Sequence, residues 1–248
     1  AGLAAKGEEF GAPAAMTSRV VDRLEEWSNH RRDLAGTDAV KFAEVSGIAL
    51  PSFEGVEGLG DVGGVLSARI SAVQPATMAE GVDHPVPLTR AEIDSLTDVY
   101  SEAPRGEQMA FLGSMAALGE DQANEVFAKI GASEPTLFAA GTIYVGGNQE
   151  AASVILRGAV ETKLDGGGAI DLSTARASAL GELFKTDVLE PASIEQLDAA
   201  AMAYARGLAM IDGGRAIEIA DIQSGFEVAI GRQADGTGGL AETDYGST

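Results

Sequence analysis

The sequence contains no cysteine, and this absence excludes several kinds of chemistry at once. Disulfide scaffolds, thiolate metal sites, cysteine nucleophiles and thiol redox centres all need this residue. Histidine is also scarce, since only His30 and His84 occur. Neither histidine has a partner at i, i+4 spacing. The sequence therefore favours neither a His-based zinc site nor a Ser-His-Asp triad.

Basic residues are few: 17 lysines and arginines oppose 38 aspartates and glutamates, which gives a formal net charge of −21. A surface this acidic repels phosphate backbones, so we expect no direct nucleic-acid partner. No apolar run approaches the roughly 20 residues that span a bilayer, so we expect no transmembrane segment. The first residues include neither an initiating Met nor a signal-peptide core, which predicts an interior piece or a processed end of a longer polypeptide.

Aromatic residues make up only 5% of the chain, although the hydrophobic class reaches 45% and 32 residues are glycine. The core must therefore consist mainly of Ala, Leu, Val and Ile. This composition suits close-packed helices joined by glycine-containing turns. We predict a mainly α fold, either a multi-helix bundle or an irregular helical array with Gly-rich connectors.

The chain is expected to divide into three segments. Residues 1–84 form an N-terminal helical and Gly-rich segment, and residues 85–165 form a bundle of short helices. Residues 166–248 contain the C-terminal helices and a Gly-rich tail leading to an absent domain. The first boundary is placed at His84–Pro87, because a residue that precedes proline is disfavoured in the helical region.

The first predicted helix begins at Thr17 or Ser18, since either can serve as an N-cap. Val20, Leu24 and Trp27 then recur at helical spacing and share one face, which predicts an amphipathic helix.

The stretch that follows is predicted to be less regular. Residues 47–64 are rich in glycine and are expected to form a loop. Pro75 is expected to break the next helix, Val65–Val73.

The second half shows clearer helix punctuation. A capping box at Thr89 and Glu92 starts one helix, Gly119 ends the next helix, and Asn148 caps a further helix predicted to reach Lys163. A longer helix begins at Ser193 and carries a heptad-like stripe. A core-facing stripe is the favoured interpretation and a coiled coil the alternative. The stripe consists of Leu197, Ala201, Tyr204, Leu208 and Ile211.

The segment Gly58-Leu59-Gly60-Asp61-Val62-Gly63 matches the dinucleotide-binding pattern G-x-G-x-x-G. That pattern needs a buried strand directly before its first glycine. The preceding residues 51–57 carry a proline and two acids instead, and such a match arises readily in a glycine-rich chain. We therefore predict no cofactor-binding residue here.

Acidic residues are too numerous for counting alone to exclude two-carboxylate glycosidase chemistry. Glu25-Glu26 and Glu120-Asp121 are adjacent in sequence, but adjacent positions on a helix diverge, and a solvated acidic face is the favoured interpretation. The segment 235–239 resembles a calcium-type turn but does not have the alternating acids of an EF loop. We predict no catalytic residue and no metal ligand.

From residue 85 onward the sequence resembles large virion proteins of tailed bacteriophages. The resemblance rests on Leu88-Thr89-Arg90-Ala91-Glu92-Ile93, Tyr100-Ser101-Glu102-Ala103-Pro104, the helix 108–119, and Ala139-Ala140-Gly141. It continues through Ile155-Leu156-Arg157-Gly158 and the tail Asp235-Gly236-Thr237-Gly238-Gly239-Leu240-Ala241-Glu242. In that family a Gly-rich tail usually continues into a further domain.

The resemblance implies a structural protein of the virion, of the internal or ejection type, that assists genome delivery. Its expected partners are portal or tail components and further copies of itself, and its expected location is the virion. Some such proteins carry a lytic transglycosylase domain, but this chain has no Glu directly followed by Ser and no Leu-Met-Gln stretch. We therefore predict that it is not an enzyme. The alternatives are a peptidoglycan-cleaving enzyme and a soluble helical interaction module.

Overall fold

The computed structural model describes residues 14–131, 134–159, 172–180 and 191–230. These residues form eleven α-helices and one 3-10 helix and contain no β-strand, which confirms the predicted mainly α fold. The 3-10 helix is Leu59–Asp61. The α-helices are α1 Ala14–Thr37, α2 Ala39–Val45, α3 Val62–Met78, α4 Arg90–Glu102, α5 Arg105–Ala116, α6 Glu120–Gly131, α7 Pro135–Val145, α8 Gln149–Ala159, α9 Leu172–Leu180, α10 Pro191–Ile211 and α11 Ile219–Ala229.

The chain divides into two compact units. Unit 1 comprises Ala1–Ser52 and Leu66–Thr89, and unit 2 comprises Phe53–Val65 and Arg90–Thr248. The first residues of α3 thus belong to unit 2 and the remainder of that helix to unit 1. The three segments predicted from the sequence, with boundaries after residues 84 and 165, stay a prediction.

Unit 1 is built around a small core of α1, α2 and α3. Ala35, Phe42, Ala43 and Val73 are fully or almost fully buried in it. Asp38 caps α2 by accepting a hydrogen bond from the Lys41 backbone N–H at 2.9 Å. The cap satisfies one of the free N–H groups that every helix start leaves, so this short helix can hold Phe42 in the core.

The predicted break at Pro75 is wrong, because α3 runs without interruption from Val62 to Met78. Proline removes one backbone hydrogen bond from a helix interior, at a cost of about 3 kcal/mol. Buried residues on both sides offset this cost, since Val73 precedes the proline and Thr77 follows it, both fully buried. The predicted loop 47–64 is also too long, because residues 59–64 are already helical.

The first helix begins at Ala14, three residues before the predicted Thr17. Alanine is the strongest helix former, which explains the earlier start. Within this helix Leu24 and Trp27 remain 46% and 59% exposed.

Unit 2 contains a row of aromatic residues that joins its first helices. The Tyr100 ring on α4 lies 5.5 Å from the Phe111 ring on α5, and the Phe111 ring lies 6.5 Å from that of Phe127 on α6. Tilted and edge-on aromatic pairs of this kind contribute about 0.5–1.5 kcal/mol beyond the burial of area. Few aromatics are present in the chain, and these three are concentrated in one core.

The predicted helix ends in unit 2 mostly agree with the structure. Gly119 and Gly147 have positive φ angles, 93° each, just after α5 and α7. Asn148 caps α8 by accepting a hydrogen bond from the Ala151 backbone N–H at 3.0 Å. The continuation of α8 toward Lys163 and the tail 235–239 lie outside the described residues.

The predicted core-facing stripe of α10 is confirmed at Leu197 and Ala201, since Ala201 belongs to a buried cluster and Leu197 packs against it, but it is wrong at Ile211. Among its members only Ala201 is buried; Leu197, Tyr204 and Leu208 are half-buried, and Ile211 is 50% exposed. Besides Ala201, the buried positions of α10 are Ala200, Ala203, Ala205, Gly207 and Ala209. This helix packs against α8 and α11 at once, so small residues on more than one face are covered.

Candidate functional site

The two histidines do not form a site. His30 lies on α1 and His84 lies in the connector before α4, and both side chains are exposed. Within the residues that the structure describes, no group of three or more histidine or carboxylate side chains could hold a metal ion.

The adjacent carboxylates are placed on solvated helix surfaces. Glu25 and Glu26 are exposed on α1, and Glu120 and Asp121 are exposed in the first turn of α6. Acids in a first turn interact favourably with the partial positive charge of the helix N-terminus, which is a structural role for the α6 pair.

The G-x-G-x-x-G segment has a packing role. Gly58 is extended and precedes the 3-10 helix, and Gly63 lies in the first turn of α3. A Cβ atom on Gly63 would overlap the backbone carbonyl of Ser114 on α5. The glycine at this position lets the start of α3 approach α5 at backbone contact.

Arg69 is a buried cation that joins two loops of unit 1. Its side chain is only 6% exposed, although it lies on the apolar helix α3. Its Nε donates to the Pro51 carbonyl at 2.5 Å, and one terminal nitrogen donates to the Pro87 carbonyl at 3.1 Å. The planar guanidinium suits two divergent carbonyls, which a lysine ammonium could not reach with the same fixed geometry. This residue was not predicted from the sequence, although a lone arginine between Leu66 and Ile70 is a usable signal.

Arg215 and Asp221 form a two-point ion pair between α10 and α11. The two terminal guanidinium nitrogens donate to the two carboxylate oxygens at 2.6 and 2.7 Å. Asp221 also accepts a hydrogen bond from the Glu218 backbone N–H at 2.8 Å, which closes the start of α11. The hydrogen bonds from Arg215 hold the pKa of Asp221 below its usual value, against the opposing effect of burial. This pair fixes the turn between two helices, and sequence reasoning missed it because the partners are six positions apart.

Tyr100 places a polar atom inside the core of unit 2. Its hydroxyl is buried and has no hydrogen-bond partner among the described residues. Burial raises the pKa of Tyr100 above its usual value, and the negative charge of Glu134 raises it further. The hydroxyl therefore stays protonated and is not a general base at physiological pH.

One side of α1 presents exposed apolar side chains; we call it the Leu24–Trp27 face and define it as Val21, Leu24 and Trp27, of which Leu24 and Trp27 are exposed. Every residue from Asp22 to Trp27 is exposed. Six consecutive residues cover more than one and a half helical turns, so solvent reaches all sides of this stretch.

Arg31 anchors this helix at the point where it joins the core of unit 1. The Arg31 Cζ atom lies 5.4 Å from the centre of the Trp27 ring and 5.3 Å from that of Phe42. Its Nε lies 2.9 Å from Oε1 of Glu80, as an ion pair. Cation–π contacts of this kind contribute about 0.5–1 kcal/mol at exposed sites, so they help to orient the indole.

Across the described ranges, no helix has the length and apolar character needed to cross a membrane. The residues that the structure describes thus contain structural ion pairs and an exposed apolar face on α1, and their acids and histidines do not form a metal-ligating cluster. Comparisons with protein-family models, with curated proteins and with solved structures found no match to this chain.

Proposed function

We propose that this chain is a structural component of a tailed-bacteriophage virion, of the internal or ejection type. It acts by packing helices against copies of itself and against portal or tail components. The observation that carries the proposal is the exposed stretch Asp22–Trp27 of α1, which presents Leu24 and Trp27 to solvent. Apolar side chains grouped on an exposed helix face are typical of a protein–protein contact.

The polar contacts of the described residues support the same role. Arg69 binds backbone carbonyls, and Arg215 binds the Asp221 carboxylate. Arg176 on α9 donates to Asp198 on α10 at 2.7 Å. These cations hold helices and loops of their own unit in place. Such contacts are structural and fit a protein whose role is assembly.

The resemblance of residues 85–248 to large phage virion proteins supplies the biological setting of the proposal. A net charge of −21 adds that contact with the genome is indirect or mediated by cations.

Mass spectrometry of gradient-purified particles, compared with soluble extract of the producing cells, tests this function. We expect peptides of this chain to be enriched in the particles. Their confinement to the soluble extract would overturn the proposal. Clearing of a cell-wall zymogram by the purified chain, abolished by one Glu→Gln change, would replace it with the peptidoglycan-cleaving alternative.

A further inference from the structure

We propose that the first helices of unit 1 form an arm that undocks from α3 and unfolds as one piece, while α3 stays folded. The arm is defined as residues 22–50, which comprise most of α1, all of α2 and the turn that follows α2. This opening is independent of the assembly role proposed above. It follows from the sparse burial in the arm, from its local hydrogen bonds and from the partly exposed ion pair that holds it closed.

The arm buries little apolar surface. Its buried side chains are Ala35, Ala39, Phe42 and Ala43. Only Phe42 among them is large, and the stretch Asp22–Trp27 is exposed throughout. Segments with few buried apolar contacts open at a lower free energy than the whole protein, because little area returns to water. The arm is therefore a segment that can open before the protein unfolds globally.

Helix α3 has packing that does not involve the arm. Val73 of α3 lies in the buried cluster with Phe42. Leu66 and Ile70 of the same helix are buried outside that cluster. Arg69 also ties α3 to the Pro87 carbonyl at 3.1 Å. Undocking of the arm would uncover Val73 but would not remove these other contacts of α3.

The hydrogen bonds that shape the arm are local. The Asp38 backbone N–H donates to the Leu34 carbonyl at 2.9 Å, where α1 meets α2. After α2, the Ile48 backbone N–H donates to the Ala43 carbonyl at 2.9 Å. These bonds do not reach α3, so α3 does not lose them when the arm undocks. Helix α2 has seven residues and depends on tertiary packing in water, so the arm should lose its helices on undocking.

The ion pair between Arg31 and Glu80 holds the arm closed. Arg31 lies on α1 and Glu80 follows α3, and the Arg31 Nε lies 2.9 Å from Oε1 of Glu80. The two side chains are 30% and 16% exposed, so the pair lies at the edge of the unit. Undocking leaves both charged groups accessible to water, which keeps the cost of breaking the pair small.

The base of the arm is fixed at Pro51. The Arg69 Nε donates to the Pro51 carbonyl at 2.5 Å, directly after the last residue of the arm. Residues 48–53 have no regular secondary structure, so this stretch can absorb a change of chain direction. The opening should therefore end at Pro51.

Hydrogen exchange of the full chain, followed by mass spectrometry of its peptides, tests this opening. We expect the amides of residues 28–46 to exchange through one common opening, at least about tenfold more frequent than the opening of α3 residues 66–77. Equal opening constants for the arm and α3 would overturn the proposal, because the two would then unfold together. Exchange that spreads gradually from Asp22 toward Leu50 would overturn it as well, since it would report fraying of α1.

A reversible crosslink identifies the part that moves. A Cβ on Gly36 of the arm would lie 3.8 Å from Cγ2 of Val82, and the chain has no cysteine of its own. This spacing suits a disulfide between the two positions. In the oxidised double variant Gly36→Cys, Val82→Cys we expect the arm to exchange as slowly as α3, and reduction should restore the faster exchange. Unchanged exchange of the arm after oxidation would overturn the proposal.

A matched pair of variants tests the ion pair. Glu80→Gln should speed exchange of the arm about two- to fivefold and leave α3 unchanged, because it weakens a partly exposed pair. Asp94→Asn weakens the exposed Arg90–Asp94 pair of α4 and should leave the arm unchanged. Equal effects of the two variants on the arm would contradict the role of Glu80.

A core variant tests the separation of the arm from α3. Phe42→Ala should speed exchange of the arm at least about tenfold, because it removes the one large side chain that docks it. Exchange of Leu66–Ile70 on α3 should change much less. Equal acceleration of the arm and of Leu66–Ile70 would overturn the proposal.

Discussion

Gly158 of α8 lies directly against the backbone carbonyl of Ala203 on α10, with no room for a side chain between them. The relation is reciprocal, because Gly207 of α10 lies in the same way against the carbonyl of Val154 on α8. The two residues on each helix are four apart, so they lie on one face, and the helices meet at backbone contact. Gly225 of α11 approaches Ala201 from another direction.

We expect Gly158→Ala and Gly207→Ala each to lower the free energy of unfolding by about 1–3 kcal/mol, the usual cost of overpacking a core. Thermal unfolding followed by circular dichroism would measure the loss. Gly106→Ala is the control: Gly106 lies in α5, and a Cβ there would meet nothing within 4 Å. Alanine at that helical position should raise stability by about 0.5–1 kcal/mol. Unchanged stability of both core variants would contradict the close approach.

Arg69→Lys should lower the free energy of unfolding by at least about 2 kcal/mol, because hydrogen bonds of a charged group to two carbonyls are lost. Hydrogen exchange should also accelerate in the loops around Pro51 and Pro87, which the guanidinium joins. Arg90→Lys is the matched control, since Arg90 is exposed and its Nε lies 3.0 Å from Asp94. Exposed pairs contribute little, so a change within about 0.5 kcal/mol is expected there. Similar losses in both variants would contradict the role of Arg69.

Asp221→Asn should lower the free energy of unfolding at neutral pH by about 1–2 kcal/mol, because it weakens the hydrogen bonds from Arg215. Asp212→Asn is the control, since Asp212 binds the same arginine at 3.1 Å but is largely exposed. Urea unfolding at pH 7 would compare the two variants, and a larger loss in the control would contradict the assignment.

The Asp221 contribution should also depend on pH. The pKa of Asp221 is lower in the folded protein than in the unfolded chain. Its stabilisation is therefore complete above the unfolded pKa, about 3.9, and is lost as the pH falls through the lower folded value. The difference between wild type and Asp221→Asn should accordingly shrink as urea unfolding is repeated at pH values below about 4. A difference that is independent of pH would argue against the ion pair.

Tyr100→Phe should raise the free energy of unfolding by about 1 kcal/mol, since it removes a buried hydroxyl that has no partner in the described chain. The ring itself would keep its contact with Phe111. Thermal unfolding would measure the gain. A loss of stability would instead show that the hydroxyl is hydrogen-bonded within the folded protein, for example to a buried water.

The sequence by itself determined the helical class of this protein and many of its helix ends. Composition excluded thiol chemistry, and local signals such as Asn148 and Gly119 act through their own backbone neighbourhood, so they can be recognised without tertiary structure. Large apolar residues such as Phe111 and Phe127 are buried in the core, as their size favours.

In helices rich in small residues, only the tertiary structure decided which helix faces are buried. On α10 the large residues of the stripe stay partly exposed, whereas alanines and Gly207 are covered, because two neighbouring helices approach its backbone. On α1 the same kind of pattern leaves Leu24 and Trp27 in solvent. Periodicity identifies an apolar face, but burial depends on which helix is near enough to cover it. The roles of Arg69 and Asp221 were likewise decided by the tertiary structure, because the fold brings their hydrogen-bond partners to them.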